Sequence, residues 1–197
     1  KVRLIVTPEK KEHFSISMRI PTWATKDEFV PGGLYPYKEQ RHLSVEIRVN
    51  GEKVKYVMKK GFAVIERDWV SGDTVELELP MPVRFVDCIP EVKDNVGKTA
   101  VTRGPLVYCA EEIDNGGPVQ QLFLGDATEE KAQVTIEETG ELKGLDFIKV
   151  GGISLVPYYA WCNRGDNRTM LVWLNKDVST VGGQQGEMKY MDLIGKI

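Results

Sequence analysis

From residue 61 to residue 83 the chain reads GFAVIERDWVSGDTVELELPMPV, and the second half of that stretch alternates strictly. Val75, Leu77 and Leu79 fall on one side of an extended chain, with Thr74, Glu76 and Glu78 on the other. A period of two marks a strand with one buried and one wetted face. Ser71-Gly72-Asp73 supplies a turn, since Gly accepts positive φ and Asp bonds to its own backbone. Residues 62–67 read as the partner arm, which predicts a hairpin of two long strands. Pro80 and Pro82 end the ladder, because proline brings no N–H to it. A two-stranded ribbon is not stable alone, so further strands must cover its apolar face.

Those strands are legible on both sides. Residues 2–7 form a short run ended by Pro8. Phe14, Ile16, Met18 and Ile20 alternate with Ser15, Ser17 and Arg19, and Leu43, Val45, Ile47 and Val49 with Ser44, Glu46 and Arg48. Asn50-Gly51 then predicts a tight hairpin with a return arm at 52–57, because both turn residues accept positive φ. Residues 24–41 are polar and rich in Gly, Pro and Tyr: a long loop. Residues 84–97 break the pattern and mark a boundary. Beyond it, strands are expected at 98–111, 119–124, 133–137, 147–150, 155–162 and 169–174, the last two as a pair, and pattern is lost after Asn175. The best helical stretch is 128–132. About a dozen short strands predict an all-β chain of two antiparallel β-sandwich domains, 1–95 and 96–175, followed by a tail or connection at 176–197. The last hairpin, 155–174, is placed either in the second domain or packed back on the first.

Composition adds exclusions. The chain of 197 residues is 42% hydrophobic and 28% charged, as ordinary globular domains are. A net charge of −3 and a pI near 5.6, with no basic block, argue against a nucleic-acid partner. No apolar run approaches the length of a membrane helix. The sequence opens inside a strand-like VRLIV, with neither a Met nor a signal-peptide pattern, so a piece of a longer chain is expected.

Chemistry is sparse. Hydrolysis of a glycoside needs two carboxyls converging across a sugar. The acidic doublets Glu111-Glu112, Glu129-Glu130 and Glu137-Glu138 do not offer that, since neighbours on a strand point to opposite faces. His13 and His42 precede strands with no nucleophile spaced for a triad. Cys88, Cys109 and Cys162 lie far apart, are odd in number, and read as small buried hydrophobes within strands. Gly151-Gly152 and Gly182-Gly183 lie between no strand and helix, which excludes a phosphate loop. Asn167-Arg168-Thr169 fits an N-glycosylation acceptor. Among the aromatics, Trp69 and Trp173 are expected in the core. Trp23, Tyr158, Tyr159 and Trp161 form a wider pool, and Tyr35 and Tyr37 of the long loop are expected to be the most exposed. No catalytic, cofactor-binding or metal residue is assigned.

Four ordered stretches, RIPTWA (19–24), GFAVIERDWVSGDTVELELPMPVR (61–84), KTAVTRGPLVYCAE (98–111) and LVPYYAWCNRGDNRTMLVWL (155–174), resemble the C-terminal β-sandwich region of glycoside hydrolase family 127, the β-L-arabinofuranosidase family. The resemblance covers about residues 1–175 and implies a bacterial enzyme of carbohydrate metabolism. It also implies an N-terminal helical toroid, absent here, carrying a cysteine nucleophile in a zinc site of cysteines and a glutamate, with a second glutamate as acid/base. None of those residues maps onto this chain, which has no adjacent cysteines. The chain is therefore expected to be inactive and to hold no cofactor, the zinc belonging to the helical domain. Two functions stand side by side. One is an accessory region that braces the helical domain and mediates dimerisation; the other is a binding module for arabinose-containing glycans. The loop at 25–40, with Phe29, Leu34, Tyr35 and Tyr37, is the expected docking face. The compartment stays open between cytoplasm and periplasm or exterior.

If the cysteines are structural thiols, alkylation under denaturing, non-reducing conditions adds three labels to the chain. A mass showing one label and an intramolecular disulfide would overturn that reading.

Overall fold

In the computed structural model, which describes residues 1–25, 29–165 and 169–180, the alternating runs become antiparallel strands and the chain is nearly all β. Among the described residues there is one α-helix, α1 (Glu112–Asn115), with several short 3-10 turns. Two compact units divide the chain: Lys1–Val96 with Ala100–Tyr108, and Gly97–Thr99 with the chain from Cys109 onward.

The first unit contains β1 (Val2–Val6), β2 (Glu12–Arg19), β3 (Glu46–Val49), β4 (Glu52–Lys53), β5 (Val57–Lys59), β6 (Phe62–Trp69), β7 (Asp73–Glu78) and β8 (Val83–Val86). Seven of these form two sheets, ordered β1-β7-β3-β4 and β2-β6-β5. Both sheets feed one buried cluster. It takes Met18, Ala63, Ile65 and Trp69 from one and Ile47, Val49, Val75 and Leu77 from the other. Strand β8 pairs with β9 (Lys98–Arg103), whose Arg103 and Thr102 pair with Leu106 and Val107 of β10 (Leu106–Glu111).

The long hairpin expected around Ser71-Gly72 does not form. Strand β6 pairs with β2 and β5, while β7 pairs with β1 and β3, so the turn carries the chain from one sheet to the other. The reason is burial. Trp69 and Val75 flank the turn, have no solvent exposure and enter one core cluster from the two different sheets. Asp73 makes the crossing. Its carboxylate accepts the Val70 N–H at 2.9 Å and the Asn50 side-chain amide at 2.8 Å, and the Asn50 carbonyl oxygen accepts the Thr74 N–H at 2.8 Å. The two turns are thereby tied together. The Asn50 amide first, and the Val70 N–H second, hold the Asp73 carboxyl below its ordinary range. A depressed carboxyl stabilises the fold fully above about pH 4 and loses that contribution as pH falls through the lowered value.

Two hairpins turn on left-handed residue pairs. Asn50-Gly51 joins β3 to β4, with φ of 53° and 83°. Lys60-Gly61, a turn the hydropathy pattern hides, joins β5 to β6 with φ of 50° and 81°. Both are the left-handed pairs that match the twist of the flanking strands.

The loop at 25–40 departs from expectation. Its described part lies along the chain after β8, with Lys38 N–H on the Phe85 carbonyl (2.8 Å), Asp87 N–H on that of Pro36 (3.0 Å) and Ile89 N–H on that of Leu34 (3.1 Å). Tyr37 is buried, edge-on to Phe29 at 6.4 Å, with the Arg84 guanidinium 4.0 Å from its ring centre. Tyr37, expected to be exposed, is thus spent on its own unit, while Leu34 stays exposed at 46%.

The second unit holds β11 (Gln133–Ile136), β12 (Asp146–Val150), β13 (Ile153–Pro157), β14 (Met170–Leu171) and β15 (Trp173–Asn175). Its strands run β11-β12-β13-β10, with β14 against the end of β10 and β15 beside β9. Gly151-Gly152 is the turn of the β12–β13 hairpin. Three expectations shift here. Residues 119–124 contain a 3-10 turn, Val119–Gln121, instead of a strand. The helical stretch is a 3-10 turn at Glu129–Lys131. The strand at 155–162 stops at Pro157, which gives no N–H to a ladder. The glycosylation pattern at 167–169 and the tail from 181 onward fall largely or wholly outside the described residues.

Trp69, fully buried with its indole N–H on the Phe14 carbonyl at 2.9 Å, anchors the first unit. Trp69→Ala is expected to lower stability by about 3–5 kcal/mol and Trp69→Phe by less, read as urea midpoints at unchanged m value.

Candidate functional site

A largely buried cluster of charged side chains sits in the second unit, where β10 runs into α1. Glu111, the last residue of the strand, is 1% exposed. Asp114 lies in the first turn of the helix. Arg164 reaches both from the loop beyond Trp161. Its Nη1 donates to Asp114 Oδ1 at 2.8 Å, and its Nη2 to Asp114 Oδ2 and to Glu111 Oε2. The remaining Glu111 oxygen accepts the backbone N–H of Cys162 at 2.9 Å. Cys162 is thereby held at φ 65°, a left-handed conformation that non-Gly residues seldom adopt. Arg164 also lies 5.7 Å from the Phe147 ring centre. Hydrogen bonds from Arg164 to Asp114, and then to Glu111, push its pKa further up against the opposing effect of burial, so it stays a cation.

Further bonds fix the same corner. Glu112, the other member of that doublet, accepts the Thr169 hydroxyl at 2.8 Å. The Asn115 side-chain amide donates to the carbonyls of Glu111 and Ser154, and its oxygen accepts the Ser154 N–H. The corner therefore sets the path of residues 158–165. That loop presents Tyr158 and Tyr159, 44% and 61% exposed. Tyr158 lies nearly parallel to Trp161, with ring centres 5.9 Å apart and planes at 17°.

Chemically, the groups of this corner are used to position the chain. A general acid or base must reach substrate, and the carboxylate oxygens of Glu111 and Asp114 are engaged by Arg164 and the Cys162 N–H. Burial first, and the charges of Glu111 and Asp114 second, raise the Cys109 thiol to about 12. A thiol raised in this way rests protonated at neutral pH.

The other sequence candidates scatter. His13 is exposed on the outer face of the β2-β6-β5 sheet, with Nδ1 2.9 Å from Asp68 and Nε2 3.4 Å from Glu66. Asp68 in turn meets Lys11 at 2.9 Å. Hydrogen bonding to Asp68, then to Glu66, raises the His13 pKa. The shallow recess there is lined by His13, Lys55, Glu66, Arg67 and Asp68 among others, with no hydroxyl or thiol. His42 is exposed and apart. Glu129 is buried beside exposed Glu130, and Glu137 bonds Thr139 in its own turn. Of the cysteines, only Cys109 lies in a strand and is buried. Cys88 follows β8 and is half-buried, and Cys162 is exposed in a turn, so neither is a strand hydrophobe. Among the described residues, no three His, Cys, Asp or Glu side chains are placed to hold a metal ion, and no residues here fit a zinc site. Sequence reasoning missed Asp114 and Arg164. The signal was Asn163-Arg164-Gly165 following an aromatic cluster, which reads as a plain turn until Glu111 is known to lie beneath it.

Comparison with known proteins places this β region among the glycoside hydrolases. The models of the glycoside hydrolase family 127 C-terminal domain and of the β-L-arabinofuranosidase GH127 middle domain match residues 83–175 and 1–81. The chain belongs to glycoside hydrolase family 127. A non-reducing end β-L-arabinofuranosidase of Bifidobacterium longum subsp. longum is 31% identical over 180 residues, covering 77% of this chain and 27% of that protein. Two solved structures are similar. A GH127 β-arabinofuranosidase superposes with a TM-score of 0.79 at 34% identity, over 90% of this chain and 30% of its own. A GH127 β-L-arabinofuranosidase from Geobacillus stearothermophilus T6 gives 0.70 at 36% identity, over 89% and 28%. The chain thus spans under a third of the length of these relatives.

Removing Arg164 would leave Glu111 buried without its cation. Arg164→Ala is expected to destabilise the second unit by about 3–5 kcal/mol, and Arg164→Lys to recover only part because it lacks the two-pronged geometry. Chemical denaturation of both variants checks this; an Arg164→Ala midpoint equal to wild type would show that the corner is not held by the pair.

Proposed function

We propose that this chain is the accessory β region of a β-L-arabinofuranosidase-like glycoside hydrolase, inactive by itself, which braces a catalytic domain and contributes to oligomerisation. The observation that carries this reading is the saturation of the acids in the charged corner: Glu111 and Asp114 bond to Arg164 and the Cys162 N–H, and so are engaged within the fold. The match to domains described as middle and C-terminal supports it, as does the length of the relatives beyond the matched part. In this reading hydrolysis, and the zinc expected for it, belong to the rest of the polypeptide. Exposed Tyr158 and Tyr159 favour a second reading, a glycan-binding surface. Against it, Tyr158 lies nearly parallel to Trp161 with ring centres 5.9 Å apart, so part of its ring is engaged within the chain.

The purified chain is expected to leave an aryl β-L-arabinofuranoside unhydrolysed with zinc and reductant present, yet to bind the separately produced remainder of its parent enzyme in calorimetry. Turnover by the chain alone, or no heat of association, defeats the proposal. Heat on titration with arabino-oligosaccharides, lost in Tyr159→Ala, would support the second reading instead. Tyr37 is no use as an interface probe, since its ring is buried against Arg84 within the first unit.

A further inference from the structure

The β1-β7-β3-β4 sheet has two edges of opposite character. Strand β4 is two residues long and both are charged, Glu52 and Lys53. Short, charged edges are how sheet proteins discourage a further strand or partner. Strand β1 is a five-residue run, VRLIV, whose one charge is Arg3.

Register shows which way its side chains point. Val2 lies opposite Leu77, and Leu4 opposite Val75. Residues directly opposite in an antiparallel pair share a face. Val2 and Leu4 therefore lie on the face that buries Val75 and Leu77, which are 0% and 5% exposed. Yet Val2 is 47% exposed and Leu4 38%. Of β1, only Val6 packs against the core cluster. The core face of the sheet thus runs on past the sheet that covers it and ends in an open apolar strip. Arg3 and Ile5 occupy the other face, where Lys1 reaches Glu76 at 3.0 Å.

We infer that the strip formed by Val2 and Leu4, together with the free edge of β1, is covered in the parent enzyme by an apolar segment of the same polypeptide lying outside residues 1–197. The inference rests on the accessory reading above and deepens it by naming the contact. The occupant follows from three observations. The relatives are more than three times as long as the matched part, so most of each polypeptide is available to supply the cover. The strip is narrow and continuous with a core, which suits one inserted segment. The strip itself carries no charge, so it calls for an apolar partner.

Hydroxyl-radical footprinting of this chain and of the intact parent enzyme tests the inference. Val2 and Leu4 are expected to be oxidised readily in the chain alone and at least about fivefold more slowly in the parent. In a parent carrying Leu4→Glu, protection of Val2 is expected to fall while the footprint around Trp69 stays as in wild type. Equal oxidation of Val2 and Leu4 in chain and parent would overturn the inference. So would protection in the isolated chain that grows with its concentration, because the strip would then belong to a second copy. The two readings fail differently. A parent that protects other parts of residues 1–175 but not this strip removes only the inference; one that protects nothing removes the accessory role as well.

Discussion

Asp73 decides the architecture of the first unit. Its carboxylate takes the Val70 N–H from one side and the Asn50 amide from the other, and so closes the turn that throws the chain from the β2-β6-β5 sheet to the β1-β7-β3-β4 sheet. Trp69 and Val75 are delivered to the same core from opposite layers only because of that crossing. The Asn50-Gly51 hairpin is held to it by the same carboxylate. An aspartate with both oxygens engaged by neutral donors is well suited to this, since charge-assisted bonds are the stronger ones and no cation has to be desolvated.

The second unit uses buried charge for a similar end with different means. Glu111, Asp114 and Arg164 join the end of a strand, a one-turn helix and a loop. Arginine suits this because its fork serves two carboxylates at once. The left-handed Cys162 is held by the pull of Glu111 on its N–H. In both units, then, a carboxylate organises the turns around it.

How much of this was legible in the sequence follows from the range of the forces involved. Alternation along β2, β3 and β7 announces itself within each strand, and an Asn-Gly pair announces its own hairpin. The partner of a strand is a different matter. Ser71-Gly72-Asp73 is equally good as a hairpin or as a crossing between sheets, and the partner that ties it down, Asn50, lies more than twenty residues away where no local pattern points to it. Tyr37 misleads for the same reason: loop composition suggests exposure, while Phe29 and Arg84 pack against its ring. Lys60-Gly61 was hidden because Lys is an unusual residue at φ 50°. At the candidate site, Glu111 is visible only as half of an acidic doublet, and Arg164 only as part of a turn; their meeting is tertiary.

The crossing at Ser71-Gly72 also bears on how the first unit comes together in time. Only β3–β4, β5–β6 and β9–β10 can zip from a tight turn, and all three ladders are short. Strand β1 must wait for β7, with Val2 meeting Leu77, and β2 for β6, with Glu12 meeting Trp69. Such distant pairings must close large loops before they gain any contact, so folding is slow and the early chain stays open. During that interval the apolar VRLIV stretch has no partner strand, and a nascent polypeptide would carry it exposed until some seventy residues later β7 emerges.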